Sequence, residues 1–193
     1  MKLLVERDIN QSTNSLAYTE IDSWEAGPQN WTNGFLDVFE ELNGYDMKLY
    51  LPVLAGGYVV GSYELSERFL WDFRKTLAHL IREGCFRHLA ELAEDDGLVA
   101  FSEGSGRQQY LYDPINFQST APIPKGEFWI GPDHGALLPD GSPLMAMRPR
   151  IDCKVASSVA HIYGGQLAAS ESFTGGQPAW FFGPFENKML GDQ

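Results

Sequence analysis

The chain has 193 residues, 44% of them hydrophobic and 13% aromatic, with a formal net charge of −12. This is one domain or a large piece of one, too rich in apolar and aromatic residues for a disordered chain. The acidic balance, without any basic run, excludes nucleic acid, whose phosphates need clustered Lys and Arg. No run approaches the roughly 18 apolar residues that would make a membrane span, and Met1 to Asp8 is too charged for a signal peptide. Cys85 and Cys153 lie far apart in expected helices, so two buried thiols are expected rather than a disulfide or a zinc site.

In chain order, residues 2–9 read as the tail of a helix and residues 17–22 as a first strand bounded by polar flanks. Residues 26–30 form a loop. Thr32 is placed to cap a short helix over residues 34–42, with Phe35, Leu36 and Phe39 on one face and Gly44 past its end. Residues 49–57, holding Pro52 and two glycines, read as connection. A long helix is expected over residues 65–94, where Phe69, Leu70, Phe73, Leu77, Leu80, Ile81, Leu89 and Leu92 recur at helical spacing. Gly84 inside it costs about 1 kcal/mol relative to alanine and is a place to bend. Gly97 ends this helix and a second strand follows to Phe101. Residues 104–125 are expected to be a long loop. A short third strand follows over residues 128–130, and residues 131–149 form a second long loop with four prolines. A helix over residues 152–163, stopped by Gly164-Gly165, leads into a fourth strand before Glu171.

Four glutamates, Glu25, Glu103, Glu127 and Glu171, stand where these short apolar runs end. A carboxylate at the carboxyl end of a strand, repeated through alternating strands and helices, is the layout of a (β/α) barrel active site. Paired carboxylates around one cleft are the apparatus of glycoside hydrolysis. Trp24, Trp31, Phe128, Trp129, Phe173 and Trp180 stand nearby, and aromatic faces suit the C–H faces of sugars. The expected class is α/β, with about four parallel strands, intervening helices and long βα loops. Four strands cannot close the eight-stranded barrel, so the chain is either part of one or an open sheet with helices. Two loops of more than about 15 residues favour a lined cleft.

Four stretches resemble the α-L-rhamnosidases of glycoside hydrolase family 106. They are Ile21-Asp-Ser-Trp-Glu-Ala-Gly-Pro-Gln-Asn-Trp-Thr32, Ser66-Glu-Arg-Phe-Leu-Trp-Asp-Phe-Arg74, Gly126-Glu-Phe-Trp129, and Ala160-His-Ile-Tyr-Gly164 leading to Glu171-Ser-Phe-Thr174. The resemblance covers nearly the whole chain. It implies an inverting enzyme that removes terminal rhamnose from plant pectic polysaccharide, calcium in the active site, and a bacterial periplasmic or secreted location. It also implies a much larger protein, of which residues 1–193 would be a partial barrel from the helix before the fourth strand to just past the seventh. The missing strands or ancillary domains would then be needed as partners, with a carbohydrate substrate and neither nucleic acid nor membrane.

Within that frame Glu25 and Glu171 are the expected catalytic pair, ending the strands that would be fourth and seventh in a full barrel. By fold analogy, those positions face each other in many sugar-cleaving barrels. The sequence leaves open which is acid and which base; the preference is Glu25 as acid. Glu103 and Glu127 are expected to bind substrate hydroxyls, ligate calcium or hold the pair's pKa values apart, against the alternative of structural hydrogen bonding. Asp22 could be a hard oxygen ligand for calcium. Trp24, Trp31 and Trp129 are candidates to stack on sugar and Asn30 to bond its hydroxyls; core packing and turn formation are the competing readings. No metal-spaced histidine cluster, phosphate loop or nucleophile elbow is present.

Overall fold

The computed structural model describes residues 16–24, 27, 29–104, 113–129, 132–137, 143–145, 149–175 and 183–192. The helix expected over residues 2–9 lies outside them, as do Glu25 and Trp180. The strands are β1 (Tyr18–Ile21), β2 (Val99–Ser102), β3 (Ile123–Trp129), β4 (Pro132–Leu137), β5 (Pro143–Met145) and β6 (Ala169–Thr174). The helices are α1 (Phe35–Asn43), α2 (Leu51–Leu54), α3 (Tyr63–Ile81), α4 (His88–Asp95), α5 (Pro114–Gln118), α6 (Pro149–Tyr163) and α7 (Pro184–Gly191). β1, β2, β3 and β6 form one parallel sheet in that order, while β4 and β5 pair antiparallel in a separate ribbon. With helices between successive parallel strands, this is part of a (β/α) barrel, a curled half-barrel.

The register sorts the side chains into two faces. Glu20 pairs with Phe101, Phe101 with Ile123, Lys125 with Ala169, and Glu127 with Glu171. Alternation along each strand then puts Glu20, Asp22, Glu103, Lys125, Glu127 and Glu171 on the concave face. Ile21, Ala100, Ser102 and Pro124 take the other face, turned to the helices, and all are buried. A core of Ile21, Ile81, Phe86, Ala90, Ala93, Leu98, Ala100, Phe117 and Ala121 fills the space behind the sheet. A second core, built from Phe35, Phe39, Met47, Val53, Phe69, Phe73 and Leu77, belongs to the helical connection alone. The long helix joins the two. Its first part packs into the helical core, and the stretch from Ile81 onward packs against the sheet.

That helix is not continuous α. Ser62 caps α3, its hydroxyl accepting from the Leu65 amide. A π turn over Arg82–Arg87 follows and then α4. The π turn contains Gly84, the position expected to bend the helix. It also corrects the expected apolar face: Leu89 and Leu92 are 37% and 40% exposed, and Ala90 and Ala93 are buried instead. A π turn inserts one residue into the helical period, so every position beyond it shifts by one.

Several expected boundaries move. Thr32 contributes only its carbonyl, which accepts from the Phe35 amide; α1 begins after Gly34 with no side-chain cap. The connection around Pro52 is a 3₁₀ turn, Met47–Tyr50, running into α2, with Pro52 in the first turn where no amide is missed. The loop expected over residues 104–125 contains α5, capped by the Asp113 carboxylate, and the start of β3. The loop expected over residues 131–149 contains the β4–β5 ribbon and the start of α6. The two thiols are half-buried rather than buried, and unpaired.

β3 is an inner strand of the sheet, between β2 and β6, and two devices hold it. Pro124 has no amide to give, and only two residue pairs register between β2 and β3. The Gln118 side chain of α5 bridges beyond them, its amide donating to the Glu103 and Lys125 carbonyls at 3.2 and 3.0 Å. On the helix side, α6 lies directly on Gly126. A Cβ there would stand 2.8 Å from the Cys153 Cα and backbone nitrogen. Gly126→Ala is therefore expected to destabilise a longer enzyme by about 1–3 kcal/mol, the cost of overpacking, read as a lower denaturant midpoint. Gly84→Ala, with open space around its Cβ, should not lower it.

Candidate active site

The concave face carries an unusual centre. Lys125 is 2% exposed, and its ammonium is the hub of four carboxylates. It donates to Glu20, to Glu103 Oε2 at 3.1 Å and to Glu171 Oε2 at 3.0 Å, and stands 3.6 Å from Asp22 Oδ1. An ammonium has three protons to give, and all three are used. Glu20 and Asp22 come from β1 and the residue after it, Glu103 from the end of β2, Lys125 from β3 and Glu171 from β6. Asp22 and Glu103 stand just past the carboxyl ends of β1 and β2, where barrel active sites are built, whereas Glu171, expected to end its strand, lies inside β6, because that strand begins only at Ala169 and runs on to Thr174.

One cation among four carboxylates leaves excess negative charge, and the protonation states divide accordingly. Burial pushes the Glu103 carboxyl up to about 7; bonding to Lys125 pulls the other way, and the Glu127 charge adds to the rise. Glu171 is held below its ordinary value, first by the Thr174 hydroxyl, which donates to Oε1 at 2.7 Å, and then by Lys125. Asp22 is also lowered, chiefly by the Ser23 amide. For Lys125, burial would lower the pKa, but its bonds to Glu20, Glu171 and Glu103 outweigh this and hold it charged. Glu103 thus tends to keep its proton, while Glu171 and Asp22 are held in their ionised forms.

The raised Glu103 pKa has a consequence for stability. The folded state binds this proton more tightly than the unfolded chain does, so its contribution is complete below the ordinary carboxyl value. It is lost as pH rises through about 7. A melting series on a longer enzyme should show stability falling over that window, and Glu103→Gln should flatten the slope. An unchanged slope in the variant would place the titrating group elsewhere.

Phe173 has φ +64, the only described residue other than glycine with positive φ. It lies at a bulge: Phe128 pairs with Ser172, but Trp129 pairs with Thr174, and Phe173 is passed over. Left-handed backbone is costly for a bulky residue, and here it reverses the strand's alternation. Thr174 comes round to the face of Glu171, and the Phe173 ring packs edge-on against Phe128 at 4.8 Å.

The other expected site residues are distributed unevenly. Glu25 lies outside the described residues. Glu103 and Glu171 are brought together; Glu127 stands beside Glu171 in register and accepts from the Trp129 indole. Trp129 is 38% exposed on this face. Trp24 packs against the sheet core and donates its indole N–H to the Gly27 carbonyl at 3.1 Å. Trp31 stacks on Phe35 at 4.9 Å, half exposed, and Asn30 is exposed. Lys125, Glu20 and Thr174 were not expected. The signal for Lys125 was its alternation with Glu127 on a strand, obscured by the flanking Pro122 and Pro124.

Among the described residues, Glu20, Asp22 and Glu171 are the group whose oxygens converge closely enough for a metal, within 4.8 Å. Carboxylate oxygens suit calcium. The Lys125 ammonium, however, is bonded to Glu20 and Glu171 and close to Asp22. The cationic position is already taken, and a divalent ion would be set against a buried positive charge. These three residues do not fit calcium, which would need other ligands.

Residues 5–193 match the model of a glycoside hydrolase family described as alpha-L-rhamnosidase. A rhamnosidase from Novosphingobium sp. PP1Y superposes with a TM-score of 0.73 at 35% identity, over 89% of this chain and 16% of that one. A protein of Formosa agariphila, provisionally named a beta-glucuronidase, is 38% identical over 173 residues, 90% of this chain and 13% of its own length. The chain therefore spans less than a fifth of either relative. With a family match over nearly its whole length, the chain belongs to glycoside hydrolase family 106.

Proposed function

We propose that this chain is part of a catalytic (β/α) barrel that hydrolyses terminal α-L-rhamnosidic bonds, with pectic polysaccharide as substrate and inversion at the anomeric carbon. Glu25 protonates the leaving oxygen as the glycosidic C–O bond breaks. Glu171 takes a proton from the water whose oxygen forms the new bond. The observation carrying this reading is that Glu171 is a carboxylate held in its ionised form on the concave face of a barrel strand, in a chain of this family.

Glu103 is a poor partner for Glu171. Both bond the same Lys125 nitrogen, at 3.1 and 3.0 Å, so those oxygens are within about 6 Å of each other. That is below the roughly 6.5–9.5 Å that leaves room for water between an inverting pair. The acid is therefore sought among residues other than those seen bonded to Lys125, and Glu25 is the candidate.

The name of the Formosa relative raises a second reading, a glucuronide substrate. It would bring another carboxylate to a face where one ammonium already serves four. A neutral deoxysugar meets no such repulsion. The test is sugar release from pectic oligosaccharides and from aryl α-L-rhamnosides, by this chain and by a version extended to a full barrel, with the product anomer followed by NMR. Rhamnose released with inverted configuration by the extended version is expected. Glucuronate release or retention would overturn the reading, and activity confined to the extended version would show that this chain alone is an inactive piece.

A further inference from the structure

We propose that Lys125 and Thr174 are the positioning residues that hold Glu171 in place as the base, one on each carboxylate oxygen. The inference rests on the reading of Glu171 as base and goes beyond it, because neither residue is expected to touch the substrate. Lys125 is 2% exposed, with its protons committed to Glu20, Glu103 and Glu171. Thr174 is brought to Glu171 by the left-handed Phe173 bulge.

A base in an inverting hydrolase must be ionised at working pH and must aim a free lone pair at one water. Glu171 comes from a short strand and is half exposed, so burial alone fixes neither property. Two donors fix both. The ammonium takes Oε2 and the hydroxyl takes Oε1, at 3.0 and 2.7 Å. With both oxygens engaged the carboxylate plane cannot rotate, and each oxygen keeps acceptor capacity for water. Bonding to the charged form also favours that form.

The other groups facing Glu171 work the opposite way. Glu127 is its register neighbour on β3, Glu20 and Asp22 approach from β1, and Glu103 from the end of β2. All are acidic, and each one ionised would make Glu171 harder to ionise. From α6, which packs on β3, Cys153 lies against the Ser170 hydroxyl at 3.5 Å. Lys125 is therefore the one cation among the described residues offsetting this crowd at Glu171. Thr174 adds a donor without adding charge. A lysine kept only to satisfy a buried ion pair would be costly to desolvate and would leave the titration of activity unmoved.

The test is the pH profile of kcat/KM on an aryl α-L-rhamnoside, in a longer enzyme containing this segment. The acid limb reports ionisation of the base in the free enzyme. Lys125→Met should move that limb up by about one pH unit or more, the usual effect of one adjacent opposite charge, with activity recovering at higher pH. Lys125→Arg should leave the limb near its original position. Thr174→Val should move it up by a smaller amount, and Thr174→Ser should restore it. The limb position does not depend on how many molecules fold. Should Lys125→Met yield no folded enzyme, Lys125→Met/Glu103→Gln removes the buried ammonium together with its buried carboxyl partner and serves in its place. A limb that stays put in these variants, or a folded variant inactive at every pH, overturns the proposal. Glu171→Gln separates the two levels: if it keeps activity within about tenfold, well short of general-base magnitudes, the base reading itself has failed.

Discussion

Glu171→Gln, made in a longer enzyme containing this segment, is expected to lower kcat by about 10²–10⁴-fold, the range of general acid–base catalysis. The amide keeps the shape of the side chain but cannot take a proton from water. Its contacts in the site also change character. Glutamine can accept from Lys125 or Thr174 through its oxygen, but its NH₂ then faces one of these donors. The loss should be alike for a natural disaccharide and an activated aryl rhamnoside, because water must be deprotonated whichever group leaves. KM should change little if Glu171 acts on water rather than on sugar. A variant that raises KM with kcat unchanged would mark a binding residue instead.

Glu25→Gln should behave differently. On the proposed assignment it removes the proton donor to the leaving oxygen, so hydrolysis of natural disaccharides should fall by a similar 10²–10⁴-fold. An aryl leaving group that is a weak base departs without a proton, so activated aryl rhamnosides should retain far more activity. Comparing kcat for the two substrate types across the two variants assigns the roles. If the substrate-dependent rescue appears at Glu171 and not Glu25, acid and base are exchanged. If neither variant loses more than about tenfold, short of general acid–base magnitudes, the pair is wrong and Glu127 becomes the next candidate.

The elements legible in the sequence were those with a local signal. β1 and β2 are short apolar runs with polar or glycine flanks, and α1 and α6 have apolar faces at helical spacing closed by glycine. What escaped depends on contacts between strands. β3 begins at Ile123, earlier than expected, because Pro122 and Pro124 argue against a central strand. The Gln118 bridge that compensates for Pro124 comes from another element. Three of the four glutamates were recognisable as a set because each borders an apolar run, and they do share the concave face. The buried lysine that organises two of them was not recognisable, since a lone Lys in a loop reads as solvated. Its role follows only from a register that sets Glu20, Glu103 and Glu171 around it.

The π turn in the long helix settles how two cores can be served by one rod. Phe69, Phe73, Leu77 and Ile81 step by four residues, and the next buried large side chain, Phe86, comes after five. Five residues of ideal α-helix overshoot a full turn by about 140°, which would aim Phe86 away from the sheet. The wider turn absorbs that excess, so each half keeps a phase suited to its own neighbours. Shortening this turn by one residue would act like turning a key. Everything from Phe86 to Ala93 would rotate off the back of the sheet while the helical core, upstream, stayed seated.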